Sequence, residues 1–180
     1  MNFKRFPEIK TKRLVLRKIE ESDCDVIFFL RTDKTVNKYI ERPENRQTKN
    51  KEDALKFIKD ITEDIENFKS ISWGITLKNN PQIIGTICLW NFSKDLKIAE
   101  VGYGLSPDYF NKGIMTEALK QVVEFGFGEL NFDKIEAYTH TDNESSKKLL
   151  EKNGFHFVPN KKDKDNSANR IYEIEMANIQ

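Results

Sequence analysis

Residues 99–119 read AEVGYGLSPDYFNKGIMTEAL, a strand, a glycine-bearing loop and a helix in succession. Ala99, Val101, Tyr103 and Leu105 share one face of the strand, while Glu100, Gly102 and Gly104 share the other, which the glycines strip bare. After Ser106-Pro107-Asp108, the apolar residues Ile114, Ala118, Val122 and Phe125 recur at helical spacing, with Met115, Leu119 and Val123 beside them, up to Gly126 or Gly128. The first amides of such a helix have no internal acceptors and stand at the positive end of its dipole. Asn111, Lys112, Gly113, Ile114, Met115 and Thr116 are therefore a candidate cradle for a phosphate or pyrophosphate. Gly113 allows close approach. Lys112 offers a cation, although a lysine taken alone is more often solvent-facing.

The flanking sequence supplies the rest of a mixed sheet. Leu14, Leu16 and Ile19 punctuate a first strand, and Glu21-Ser22-Asp23 offers capping oxygens to a helix that runs to about Leu30. Leu55, Ile58, Ile61, Ile65 and Phe68 mark an amphipathic helix over 52–68. Strands over 71–77 and 83–90 follow, joined by Asn79-Asn80-Pro81 as a hairpin turn, with Gly85 as a candidate bulge. Beyond the central stretch come a strand over 134–140, a short helix over 143–153 closed by Gly154, and strands over 155–159 and 170–177. The charged run 161–166 reads as a solvated loop. The order β-α-α-β-β-β-α-β-α-β-β gives an α/β (α+β) class with helices on the sheet's faces.

Composition narrows the function. The 180 residues carry 30 Lys and Arg against 29 Asp and Glu, a net charge of +1, so no global field draws nucleic acid or an anionic membrane. With 13 Phe and 38% apolar residues, disorder is not expected. The longest apolar run, residues 26–30, is far short of the ~20 that a spanning helix requires. Lys4, Arg5, Lys10, Lys12 and Arg13 precede no apolar stretch, which argues against a secretory signal and for the cytoplasm. Cys24 and Cys88 lack metal or redox spacing and read as buried, reduced thiols; no metal site is expected. No repeat or linker divides the chain, so residues 1–180 read as one domain.

Two familiar phosphate motifs fail by counting. A dinucleotide fingerprint begun at Gly102 requires glycine where Pro107 stands, and a P-loop begun at Gly104 meets Tyr109 and Phe110 in place of its Gly and Lys. The segment Phe110-Asn111-Lys112-Gly113-Ile114-Met115 instead resembles the pyrophosphate loop of the GNAT superfamily of N-acetyltransferases, Gln/Arg-x-x-Gly-x-Gly/Ala, with Gly113 matching and Phe110 and Met115 departing. TKRLVLRKIEESD, GYGLSPDYFNKGIMTEAL and TDNESSKKLLEKNGF are similar, in order and spacing, to the branch of ribosomal-protein alanine/serine N-terminal acetyltransferases, and the resemblance spans about residues 10–175.

That resemblance implies a GNAT-like, mostly antiparallel sheet of six to seven strands, splayed in the middle. It also implies acetyl-CoA as co-substrate, its pantetheine arm lying against Tyr103, Gly104 and Leu105 on a bulged strand. Gly102 and Gly104 fit a bulge or a close ligand approach on their own account, and equally the relief of crowding under a helix. The resemblance further implies that Asn143 bonds the cofactor arm and Ser146 lies near its sulfur, although Thr141-Asp142-Asn143-Glu144 also reads as a capping box. Where many members carry a tyrosine acid, seven residues after this Asn, the chain has Leu150.

The chemistry sets the remaining roles. An attacking amine must be neutral, which is easier for an α-amine (pKa ~7.7–8.0) than for lysine (~10.4). A thiol of pKa ~8.5 leaves readily enough that a hydroxyl such as Ser146 suffices as the acid, giving direct transfer without a covalent enzyme intermediate. Glu100, on the glycine face, is the candidate base, and a plain solvent-facing glutamate is an equal reading. His140 and His156 have no ligand or nucleophile partner in the pattern and read as structural. Trp73, Trp90 and Phe92, on or after the hairpin strands, are candidates to line the acceptor side, although each taken alone reads first as core. The expected activity is acetyl transfer to a small-molecule or peptide amine, with a protein N-terminus suggested by the resembled branch. The alternative is a non-catalytic acyl-CoA-binding or sensing module. Nucleic acid is not expected as a partner, and either a monomer or a homodimer fits.

Overall fold

The structure, a computed structural model, describes residues 6–178; Lys4 and Arg5 of the basic N-terminal run lie outside the described residues. The chain order is β1 (Ile9–Lys10), β2 (Leu14–Arg17), α1 (Cys24–Thr32), α2 (Lys51–Glu66), β3 (Ile71–Leu77), β4 (Asn80–Trp90), β5 (Ile98–Leu105), α3 (Ile114–Gly128), β6 (Lys134–His140), α4 (Glu144–Lys152), β7 (His156–Phe157) and β8 (Asn169–Glu175). These strands form one eight-stranded sheet in the order β1-β2-β3-β4-β5-β6-β8-β7. Every pairing is antiparallel except β5 with β6. The expected mixed, mostly antiparallel GNAT-like sheet is present, and the two-residue β1, unmarked in the sequence, brings its count to eight.

Local chemistry explains the boundaries. The Asn50 side chain accepts from Asp53 N at 2.8 Å and so caps α2. The hairpin turns on Lys78 and Asn79, so Asn80 and Pro81, expected in the turn, instead open β4, where Asn80 Oδ1 accepts from Gln82 N at 3.0 Å. β2 stops at Arg17 because the Arg17 guanidinium turns to Asp23, bonding both carboxylate oxygens at 2.8 Å. Ile19 leaves the strand and is buried beside the helices. β7 ends short of Pro159, which has no amide to donate.

Two cores sit on opposite faces. Leu14, Leu16, Trp73, Ile75, Ile87 and Leu89 meet α3 on one face, while Ile19 and Ile83 meet Ile27, Leu30, Ala54 and Ile58 of α1 and α2 on the other. Ile83 and Ile84 divide between these cores, and the register shift there skips Ile84, pairing Ile83 with Thr76 and Gly85 with Ile75. This is the bulge that Gly85 suggested. A Cβ on Gly85 would lie 2.6 Å from Gly104 O, so only glycine lets β4 and β5 approach there.

The decisive feature lies between β5 and β6. Their pairing runs Ile98↔Lys134, Ala99↔Ile135, Glu100↔Glu136 and stops. β5 stays paired with β4 as far as Leu105, and β6 with β8 as far as His140. The sheet therefore opens into a V between residues 101–105 and 137–140. The bulge expected in β5 is not there: its register against β4 is continuous, and the irregularity lies one strand away in β4.

Candidate active site

The V leads to the first turn of α3. Asn111 and Gly113 both take positive φ, 58° and 70°, winding the loop tightly before the helix, and Gly113 is the N-cap. Among the described residues, none of the amides of residues 111–116 donates to an acceptor. The Ile114 and Met115 side chains are buried in the core, so these two residues offer the cradle only their amides. Lys112 folds back over its own loop, donating to Asp108 O at 2.7 Å, with its ammonium 5.4 Å from the Tyr109 ring.

A residue outside the sequence candidates completes this end. Arg13 donates to Lys112 O at 2.9 Å and pairs through Nε with Glu117 at 2.6 Å. Its Nη2 stands 3.5 Å from where a Gly113 Cβ would be. Burial pushes the Glu117 carboxyl up, but bonds from Thr11 Oγ1 and the Arg13 amide and guanidinium outweigh it and hold the group below the usual range. Arg13 is 104 positions from Glu117, so only its place next to the first strand was visible in the sequence.

Inside the V, the Tyr103 hydroxyl and Ser146 Oγ are 2.8 Å apart. Tyr103 lies on the α3 face of β5, and burial pushes its pKa up to about 12 against the opposing Ser146 hydrogen bond. Ser146, 8% exposed, belongs to the first turn of α4, where Asn143 Oδ1 accepts its amide at 3.1 Å. The capping reading of Asn143 is thus present in the structure. Leu150, one turn on, is fully buried in the apolar core. The sequence proposed Ser146 and, separately, the Tyr103 backbone; their side-chain contact joins them across 43 positions. β5 presents a strand edge without a partner strand along residues 101–105, including Tyr103, Gly104 and Leu105.

The other face carries Glu100, Gly102 and Gly104, with Val36 of the α1–α2 connection 3.6 Å from a Cβ placed on Gly104. Glu100 accepts from Asn91 Nδ2 at 2.5 Å and lies beside Glu136, which is bonded by Lys161 and by Tyr138. Burial raises the Glu100 pKa, the Asn91 bond opposes this, and the like charges of Glu136 and Asp163 add to the rise. Cys88, facing Gly102, is pushed up to about 11 by burial, and both cysteines are free thiols. His140 stacks on Tyr39 at 5.4 Å, and His156 lies 3.5 Å from Glu173. Trp73 is buried in the core against Phe125, Phe92 packs on Phe132, and Trp90 faces Arg46. Among the described residues no three His, Cys, Asp or Glu side chains gather as a metal site, and no helix is long and apolar enough to cross a membrane.

Known proteins share this fold. A family model described as an acetyltransferase (GNAT) domain matches residues 13–156. The uncharacterized N-acetyltransferase YoaA of Bacillus subtilis is 33% identical over 150 residues, 83% of each chain. A GNAT-family acetyltransferase from Bacillus anthracis superposes with a TM-score of 0.76 at 25% identity, over 94% of this chain and 98% of its own. The ribosomal-protein alpha-N-acetyltransferase RimL, solved with coenzyme A, shares the fold at a TM-score of 0.80 and 16% identity, over 94% of this chain and 98% of its own. With the splayed sheet, the open amide cradle and these matches together, the protein belongs to the GNAT acetyltransferase family and is an acyltransferase.

Proposed function

We propose that the protein moves the acetyl group of acetyl-CoA to a primary amine by direct transfer within a ternary complex. The observation that carries this reading is the V between β5 and β6, which runs from the unpaired α3 amides to the Tyr103–Ser146 pair. The amides of residues 111–116, with Gly113 allowing approach and Arg13 and Lys112 adding charge, suit a pyrophosphate. The free edge of β5 at Tyr103, Gly104 and Leu105 suits an amide-bearing arm. Asn143, at the mouth of α4, lies on the same route. Acetyl-CoA supplies an activated thioester, and the protein's own groups handle the protons.

Ser146 Oγ donates a hydrogen bond to the departing sulfur while Tyr103 holds its other side. The amine approaches from the face that Gly102 and Gly104 leave bare, and Glu100 takes its proton directly or through one water. A protein N-terminal α-amine is the favoured acceptor. It is the amine most readily neutral near pH 7, and RimL, which shares the fold, is named for that chemistry.

Titration calorimetry with acetyl-CoA, followed by free-thiol release across amines and N-terminal peptides, tests the proposal. Binding with turnover on one acceptor class is the expected result. Absence of binding overturns it, as does binding without turnover on any amine.

Glu100→Gln is expected to lower kcat/KM about 100-fold, the lower end of the usual worth of a general base. A base must be ionised, so the wild-type rate falls as pH drops through the Glu100 pKa, and burial sets that limb above the usual carboxylate range. The pH–rate profile of the variant retains only the limb of the amine itself. Arg13→Ala is expected to weaken acetyl-CoA binding about tenfold in calorimetry, because one charge-assisted contact and the tie to Glu117 are lost together.

A further inference from the structure

The α1–α2 connection holds a cluster of cations that the acetyl-transfer reading leaves unused. Arg31, at the end of α1, donates through Nε to Thr48 Oγ1 at 2.7 Å and through Nη2 to Arg46 O at 2.7 Å, and its guanidinium lies 3.9 Å from the Phe57 ring. Arg42 donates to Asn37 Oδ1 at 2.5 Å, and Asn37 is itself oriented by bonds to Leu30 O and Asp33 O. Arg46 sits with its guanidinium 5.5 Å from the Trp90 ring. All these partners are neutral. Among the described residues no carboxylate pairs with any of the three, although Glu41, Glu44 and Glu100 are near in sequence or space. Arg13 and Arg17, by contrast, are each matched to an acid.

Arg31 and Arg42 are half-buried beside the exposed Arg46, and holding such like charges together without a counter-ion is unfavourable unless an anion completes the cluster. Burial pushes Arg31 down to about 10, and the charges of Arg42 and Arg46 push the same way; burial also lowers Arg42. Arg31 has the C-terminal dipole of α1 to favour it, but Arg42 and Arg46 lie on the connection and have no such help. Each guanidinium keeps N–H donors unused, in the forked geometry that suits carboxylate and phosphate oxygens.

The position is specific. Trp90 pairs with Glu100 across β4 and β5, and its Nε1 is 3.6 Å from where a Gly102 Cβ would stand. Arg46 therefore adjoins the bare face beside the candidate base. The phosphate-binding loop follows Leu105, five strand positions beyond Glu100 and so about 17 Å along β5. Arg46 is thus set apart from the α3 amides, while Arg42, bonded to Asn37, lies beside Val36, which covers Gly104.

We propose that Arg31, Arg42 and Arg46 form a subsite for an anionic group, carboxylate or phosphate, carried by the acceptor amine itself. This rests on the acetyl-transfer reading. The acceptor then presents its amine to Glu100 and its anion to the arginines.

The test uses matched acceptors that differ in the anion, with acetyl-CoA saturating: O-phosphoethanolamine against ethanolamine, and the dipeptide Ala-Glu against Ala-Gln. The anionic member of at least one pair is expected to have about tenfold higher kcat/KM at low salt, and which pair responds distinguishes phosphate from carboxylate. Arg46→Gln and Arg42→Gln, which keep Arg31 and its packing, are expected to reduce that preference to less than about threefold while KM for acetyl-CoA is unchanged. Equal turnover of both members of both pairs overturns the subsite, as does a preference that survives both substitutions. A raised KM for acetyl-CoA, absent when the 3′-dephospho form is used, assigns the arginines to the coenzyme and also overturns it. Should no amine be turned over, the acetyl-transfer reading fails. Calorimetry of O-phosphoethanolamine and Ala-Glu against wild type and Arg46→Gln then still decides the subsite: binding of either that the variant loses supports it, and no such difference sinks it.

Discussion

Ser146→Ala is expected to lower kcat about 100-fold while moving KM for acetyl-CoA less than about threefold, the pattern of a group that acts on developing charge. Leu150, seven residues after Asn143, is apolar and sealed in the core, so it offers no proton donor. Ser146 Oγ is the hydroxyl that the first turn of α4 presents beside β5. A structural loss would look different. The amide of residue 146 still donates to Asn143 in the variant, so the helix cap survives. The Tyr103 hydroxyl, however, loses its partner in a buried place, at about 1–3 kcal/mol. Adding Tyr103→Phe removes that unpaired group and is expected to recover most of the lost stability in thermal unfolding without recovering turnover. Recovery of turnover along with stability would return Ser146 to a purely structural role.

Gly113→Val is the second large effect: acetyl-CoA is expected to bind about 5- to 30-fold more weakly. At φ of 70°, a side chain costs about 1–2 kcal/mol, and a β-branched one sits at the worse end. The loop escapes that strain by turning its amides away, and the binding-competent cradle is then populated only in proportion to the cost. The new side chain would also press on the Arg13 guanidinium, whose Nη2 lies 3.5 Å from the Cβ position. Gly128→Ala is the control, since its Cβ would meet nothing within 4 Å. Calorimetry of both variants, with folding checked by circular dichroism, separates a loop effect from a general one. Unchanged affinity in Gly113→Val would remove this loop from the cofactor site.

Much of the fold was legible because its signals are local. Alternation alone placed β5 at Ile98–Leu105 and β6 at Lys134–His140, and helical spacing started α3 at Ile114. β1 escaped because two residues carry no period. Gly85 marked the bulge in β4, where the backbone of Gly104 leaves no room for a Cβ, whereas the bulge that Gly102 and Gly104 suggested for β5 is not there, because those glycines answer to what packs on the strand and not to its register.

The sequence by itself determined the order of elements, the apolar face of each and a cradle of unpaired amides after Gly113, because periodicity, capping and glycine freedom act over a few residues. Only the tertiary structure decided that pairing of β5 and β6 ends at Glu100 and Glu136, that Tyr103 meets Ser146, that Arg13 anchors to Glu117, and that Arg31 bonds the backbone of Arg46, which reaches Trp90. Those relations join residues far apart in the chain. They come from the register of distant strands and from the packing of helices on opposite faces, which are set once the whole core is assembled.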